Sequence, residues 1–191
     1  MLIEQYQVIR AAVIDAGYAS EIEWAEGVKA PENAEDFAGE AIWVILCSGM
    51  KEQIARKISD KVWGAIREGQ PVRSVFGHDG KASAIETIWR DRERLFQSFK
   101  LANDKVEFCQ RLPWIGGITK WHLAKNYGVD CAKPDIHLSR LATHYRTTPA
   151  NLCATLAKAS GDRIATVDLV IWRACNLEII KTRQLSHDHN I

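Results

Sequence analysis

Residues 112–128 read LPWIGGITKWHLAKNYG, and residues 133–141 read KPDIHLSRL. The first stretch is two helical segments around a tight turn holding Gly116 and Gly117. Glycines there permit positive φ and the close approach of a second backbone. The N–H groups that open the second helix point outward with the helix dipole behind them, an anion site that a DNA phosphate fits. Lys120 and Lys125 lie nearby to reinforce it. The same pattern also suits a plain turn between two helices. In the second stretch Pro134 suits the first position of a helix. That places Asp135 in the first turn, where the dipole favours a negative charge. Ile136, Leu138 and Leu141 then pack inward, and Arg140 faces out. On these grounds Asp135 reads either as a helix-capping carboxylate or as a site residue.

Outward from this region the periodicity is helical nearly throughout. Val8, Ala11, Ala12 and Ile14 begin an amphipathic stripe that stops near Gly17. A polar connector is expected over residues 18–33. Asn33 can cap a helix carrying Phe37, Ala41, Val44 and Ile45 toward Gly49. A second helix runs from Met50 to Glu68, with Ile54, Ile58, Val62 and Ile66 at steps of four. The stretch QPVRSVFGHDG reads as a loop, with His78 and Asp79 solvated. One long helix is expected over residues 81–101 and a short one over 104–111. The hairpin helix covers 119–127 and stops at Gly128. Thr148-Pro149 starts another helix, Gly161 ends it, and a last helix covers 163–181. No strand pattern, internal repeat or low-complexity stretch occurs, so the class is all-α.

The 191 residues are 47% hydrophobic and 26% charged, an ordinary globular balance. That excludes a long disordered chain, a collagen-like chain and a coiled-coil rod. No apolar run approaches the ~20 residues of a membrane span, and the opening MLIEQYQVIR does not read as a signal peptide. Net charge is +1, but residues 1–110 carry 14 Lys and Arg against 18 Asp and Glu, whereas residues 111–191 carry 11 against 6. A basic half can build a local positive face on a neutral protein. Cys47, Cys109, Cys131, Cys153 and Cys175 form no CxxC and no zinc-like pair. Their odd number suits reduced thiols in a cytosolic protein. His187 and His189 form H-x-H in the tail, too few ligands for a metal centre.

Together the two quoted stretches resemble the helix-hairpin-helix (HhH-GPD) superfamily of DNA glycosylases. The family's hairpin pattern is L-P-G-h-G-x-x-T, with h apolar. Leu112-Pro113-Trp114-Ile115-Gly116-Gly117-Ile118-Thr119 meets it, except that Trp114 stands at the first glycine. The family's catalytic segment D-x-H-h-x-R-h is met at every constrained position by Asp135-Ile136-His137-Leu138-Ser139-Arg140-Leu141. AIWVILCSGMKEQIARKI (41–58) is similar to the helix pair that holds the family's wedge residue, and DLVIWRACN (168–176) to its closing helix. The resemblance covers most of residues 33–180. The hairpin alone is weakly specific; the hairpin followed by D-x-H-h-x-R-h at this separation is strong.

The resemblance implies a two-lobed helical fold with a cleft between the lobes. Residues 30–130 would form the central lobe with the hairpin, and residues 1–29 plus 131–191 a second lobe carrying Asp135. The implied activity is base excision from double-stranded DNA containing a modified base. Trp114, Gly116, Gly117, Thr119 and Lys120 would hold the DNA, and Met50 would fill the vacated stack. Trp24, Trp43 and Trp172 fall in segments that line the family's base pocket, although each also suits a core. Asp135 would stabilise the positive charge that develops on the sugar and orient the attacking water. His137 would serve a structural hydrogen bond within its turn.

The position of the family's Schiff-base lysine aligns with Ile118, which implies a monofunctional, hydrolytic enzyme. Lys120 lies about 200° further round the helix, and Lys133 is the substitute amine of an alternative glycosylase/lyase. The iron–sulfur signature of some branches is absent, and so is the pocket glutamate of the adenine-excising branch, aligned with Val44-Ile45. No cofactor and no metal are therefore expected. A monomer in the cytoplasm or on the nucleoid, without membrane attachment, is the expected state. Trp114 and Ile118 keep open a competing reading, a non-catalytic helix-hairpin-helix DNA-binding protein.

Overall fold

The structure, a computed structural model, describes residues 1–182. Among them every regular element is helical, so the protein is all-α. Helix α1 (Ile3–Val13) leads through a π-helical segment (Ile14–Tyr18) into α2 (Ala19–Gly27). There follow α3 (Ala34–Cys47), α4 (Glu52–Arg67), a 3-10 turn (Val72–Ser74), α5 (Asp79–Arg90) and α6 (Arg92–Leu101). The hairpin helices are α7 (Lys105–Gln110) and α8 (Thr119–Asn126). The chain continues with α9 (Ile136–His144), α10 (Pro149–Ser160) and α11 (Ile164–Asn176). No helix among the described residues is long and apolar enough to cross a membrane. The chain divides into two compact units, Ala30–Gly128 and Met1–Lys29 with the chain from Val129 on.

The unit of residues 30–128 is organised around α3. Asn33 caps this helix, its side-chain oxygen accepting from the N–H groups of Glu35 and Asp36 at 2.9 Å each. Phe37, Ala38, Ala41, Ile42, Val44, Ile45 and Leu46 are all fully buried. A helix buried over that much of its circumference is an internal one, and α4, α5, α6 and α8 pack on it. Tyr127, at the end of α8, stacks on Phe37 with ring centroids 4.9 Å apart, and Phe99 lies 4.8 Å from Tyr127. The Tyr127 hydroxyl donates to the carbonyl of Phe37 at 2.7 Å, and burial pushes its pKa well up. Nearby, the Asn126 amide donates to Glu40 at 3.0 Å. These contacts fasten the hairpin's second helix to the start of α3.

The other unit is built on α11, whose Val167, Val170, Ile171 and Ala174 are fully buried. Tyr6 of α1 joins the same core and donates its hydroxyl to Asp162 at 2.6 Å, beside a 3.0 Å bond from Arg10 to the same oxygen. The Arg173 guanidinium grips Glu21 of α2 through both carboxylate oxygens and lies 4.2 Å from the ring centroid of Tyr18. That grip, with buried Ile22 and Ala25, explains why residues 19–27 are helix where a polar connector is expected. The decisive partners are far away in sequence. Gly17, at φ 93, makes the bend before α2.

Two further expectations are corrected. Residues 81–101 are not one helix: the chain breaks at Asp91, whose carboxylate accepts from both Arg90 and Arg94. The last helix ends at Asn176 rather than near 181, and Glu178 adopts a positive φ of 58 just beyond it. Counted by unit rather than by sequence half, the charges are nearly balanced. Residues 30–128 carry 15 Lys and Arg against 13 Asp and Glu, and the rest of the chain 10 against 11.

Phe37→Ala should destabilise the protein by about 3–5 kcal/mol, because it empties the centre of the aromatic cluster. Tyr127→Phe, which removes only the hydroxyl, should cost about 1 kcal/mol. Urea unfolding followed by circular dichroism checks the order. Equal losses would mean that the hydrogen bond and not the packing holds α8.

Candidate functional site

The hairpin turn is closed from within. The Gly116 N–H donates to Thr119 Oγ1 at 2.7 Å, and the Lys120 N–H donates to the Gly116 carbonyl at 2.9 Å. Neither Gly116 nor Gly117 uses the positive φ that a glycine permits; that conformation falls on Trp114, at φ 65. A left-handed backbone costs a residue with a Cβ roughly 1–2 kcal/mol, so its side chain must be well held. The Trp114 indole N–H donates to Ser48 Oγ at 3.2 Å. Its ring stands edge-on to His78, with centroids 5.0 Å apart. It also covers Gly80 so closely that a Cβ added there would lie 2.4 Å from an indole carbon.

The turn that Trp114 touches joins α3 to α4. Ser48 Oγ donates to the Ile45 carbonyl at 3.0 Å, Gly49 has φ 67, and the Met50 N–H donates to the Cys47 carbonyl at 3.1 Å. Met50 is half-buried in this turn, ahead of α4 rather than at its start. Lys81, only 4% exposed, donates its ammonium to the carbonyls of Leu46 and Ser48 at 3.1 and 2.6 Å. Burial pulls its pKa below the usual lysine value. Burial likewise pushes the neighbouring Cys47 thiol up to about 11. His78 is exposed in the loop, as expected, and also caps α5, its Nδ1 accepting from the Lys81 N–H at 3.4 Å.

The outer side of the hairpin is open. A Cβ added at Gly117 would meet nothing within 4 Å. The N–H groups of Gly117, Ile118 and Thr119 have no acceptor among the described residues. Lys120, expected to reinforce an anion site, is instead held inside the hairpin by Glu107 and Gln110, with 13% of its side chain exposed. Arg111 lies over the Phe108 ring at 5.6 Å.

Asp135 is the cap of α9. Its backbone is extended (φ −77, ψ 177), and Oδ1 accepts from the Leu138 N–H at 2.9 Å. Pro134 therefore precedes the cap, and the position read as a first helical turn lies one residue further back. Asp135 is half-buried, and its second carboxylate oxygen has no hydrogen-bond donor among the described residues. The connector ahead of it is tied to α11 at two points. Asp130 accepts from the Ala165 N–H at 2.9 Å, and Asp168, 2% exposed, accepts from the Lys133 N–H at 3.2 Å. The Asp135 N–H then donates to the Lys133 carbonyl at 2.7 Å. His137 Nδ1 pairs with Thr182 Oγ1 at 3.1 Å, outside its own turn. The buried Cys175 thiol is pushed up to about 11, first by burial and then by the Asp135 charge.

The structure thus places the proposed residues in two sets. Trp114, Gly116, Gly117, Thr119, Lys120, Met50 and Trp43 share the unit of residues 30–128. Asp135, Lys133, Trp24 and Trp172 share the other. Trp24 is half exposed, whereas Trp43 and Trp172 are half-buried with Arg56 and Arg173 over their rings. His187 and His189 lie outside the described residues. Lys81 and Asp168 are missing from the sequence reading, although each carries a signal. Lys81 is in helical register with Ile85 and Ile88, and Asp168 with Ile171 and Cys175. A charge on a buried stripe must find a fixed partner. No protein-family model matches the chain, and no curated protein or solved structure matches it either.

Asp135→Asn should lower the Cys175 pKa by removing a neighbouring negative charge while keeping the burial. Alkylation of Cys175 by iodoacetamide at pH 8, followed by peptide mass spectrometry, should then accelerate about two- to fivefold. An unchanged rate would show that the carboxylate does not act on the thiol.

Proposed function

We propose that this protein is a monofunctional DNA N-glycosylase of the helix-hairpin-helix kind, which excises a damaged or modified base by hydrolysis and leaves an abasic site. The observation that carries the reading is Asp135: one oxygen is fixed by the Leu138 N–H, and the other has no hydrogen-bond donor among the described residues. A carboxylate used only to cap a helix needs one oxygen. Support also comes from the hairpin, where a Cβ at Gly117 would meet nothing within 4 Å and the N–H groups of residues 117–119 find no acceptor among the described residues. Amides in such a position suit a phosphate oxygen and position DNA without reading its sequence.

In this reading a base inside the duplex is first extruded, since the glycosidic bond is otherwise out of reach. The bond between C1′ of the sugar and the base nitrogen breaks with its electron pair leaving on the base. Positive charge then builds on the sugar, and the free oxygen of Asp135 stabilises it. A water oriented by the same carboxylate adds to C1′ and passes its proton to that carboxylate, which returns it to solvent, while the departed base takes up a proton, so that the sum is hydrolysis. Met50 fills the vacated stack, and Trp24, Trp43 and Trp172 are the candidates for packing on the base. Lys120 is occupied within the hairpin, so the phosphate grip rests on backbone amides. The protein would act as a monomer on double-stranded DNA in the cytoplasm or nucleoid.

The test is an excision panel of duplexes carrying uracil, mismatched thymine, 8-oxoguanine, 3-methyladenine analogues, hypoxanthine or bulky modified pyrimidines. Each product is resolved with and without alkali. Strand breaks that appear only after alkali, and vanish with Asp135→Asn, are expected. Asparagine caps a helix as well as aspartate does, so this variant removes the charge and spares the fold. Wild-type turnover by Asp135→Asn would remove the residue from the mechanism. Breaks without alkali, with a borohydride-trapped adduct lost in Lys133→Ala, would favour the lyase. Gly117→Val has room within the fold, so any loss of duplex affinity reads an outside contact. About tenfold or more is expected, equally for all sequences. Tight duplex binding without release of any base would favour the non-catalytic binding protein.

A further inference from the structure

Three segments distant in sequence meet in the unit of residues 30–128: the Ser48–Met50 turn, the start of α5 at His78–Lys81, and the hairpin apex at Trp114. We propose that Trp114 is a positioning residue that ties the hairpin apex to the Ser48–Met50 turn, so that DNA gripped by the hairpin sets the position of Met50. This inference rests on the DNA-binding reading above and adds to it a role for one residue.

The backbone at Trp114 states the problem. A glycine at a positive φ of 65 would make the same turn without strain. A glycine has no side chain to reach Ser48. The tryptophan keeps the strained backbone and spans from the apex to the turn with an N–H to Ser48 Oγ. The site is shaped to receive it. Gly80 leaves the space that the indole fills, and the His78 ring meets the indole edge-on. Ser48 is itself held on both sides, its hydroxyl on the Ile45 carbonyl and its own carbonyl on the Lys81 ammonium. A displacement of the apex is therefore passed to a turn that is already rigid, two residues before Met50. Packed side chains and hydrogen bonds of this kind can carry the effect of binding from one part of a body to another.

The readout is hydrogen–deuterium exchange of the segment 46–52 in the full-length protein, with and without a saturating duplex. In the wild type, duplex binding should slow exchange of this segment about fivefold or more. Trp114→Phe, which keeps a ring and loses the N–H, should reduce that slowing to about twofold or less, and Ser48→Ala should do the same from the other side. The double variant should behave as either single variant, since both remove one link. Duplex affinity is measured in parallel by fluorescence anisotropy, and that of Ser48→Ala should stay within about threefold of wild type, because the hairpin and its amides remain. A merely structural tryptophan would change exchange in the free protein and leave the response to DNA intact. The proposal is overturned if wild type binds duplex and segment 46–52 does not respond, or if both variants respond as wild type does. If wild type binds no duplex, the DNA reading itself falls and takes this inference with it; the anisotropy arm separates that outcome from the others.

Discussion

Helix α3 is buried along most of its length, so the carbonyls at its C-terminal end cannot rely on water, and the ammonium of Lys81 supplies the donor they need. Much of the hairpin's environment depends on that arrangement. The Ser48 carbonyl is fixed by Lys81, the Ser48 hydroxyl receives the Trp114 indole, and Met50 follows two residues later. A buried ammonium is destabilising by itself. It persists because two carbonyls at 2.6 and 3.1 Å replace its hydration. The same burial pushes the Cys47 thiol up to about 11.

The second unit solves a related problem with carboxylates. Its connector from Val129 to Asp135 carries no regular structure, and a segment of that kind is held only by what its amides and side chains find. Asp130 and Asp168 fasten it to α11 from two sides, and Asp135 then closes α9. Asp168 can do this from a nearly dry position because the Lys133 N–H reaches it. The result is a carboxylate at residue 135 whose direction is set by its cap and whose approach is set by a pinned loop.

Much of the local architecture was legible along the chain. Asn33, Thr148 and Gly161 mark helix ends by mechanisms that act within a few residues, and the structure has caps at each. The hairpin was legible for the same reason. What could not be read was anything decided at a distance. Residues 19–27 are helical because Arg173 and the α11 core receive them, and nothing within that polar segment announces it. A positive φ, which Gly116 and Gly117 would permit, sits instead on Trp114, whose indole is held by Ser48, His78 and Gly80. Lys120 was placed by its spacing near an anion site, but Glu107 and Gln110 across the turn take its charge.

By itself, then, the sequence determined the all-helical class, most of the helix boundaries set by caps and breakers, and the pairing of a glycine hairpin with D-x-H-h-x-R. Those features depend on neighbours at one to four residues, where backbone geometry leaves few choices. The tertiary structure decided which charges are buried, where the strained residue sits, and which oxygen of Asp135 caps α9. Those depend on partners as far as 66 residues away, as between Ser48 and Trp114. Such contacts follow from packing many side chains at once, and no local pattern contains them.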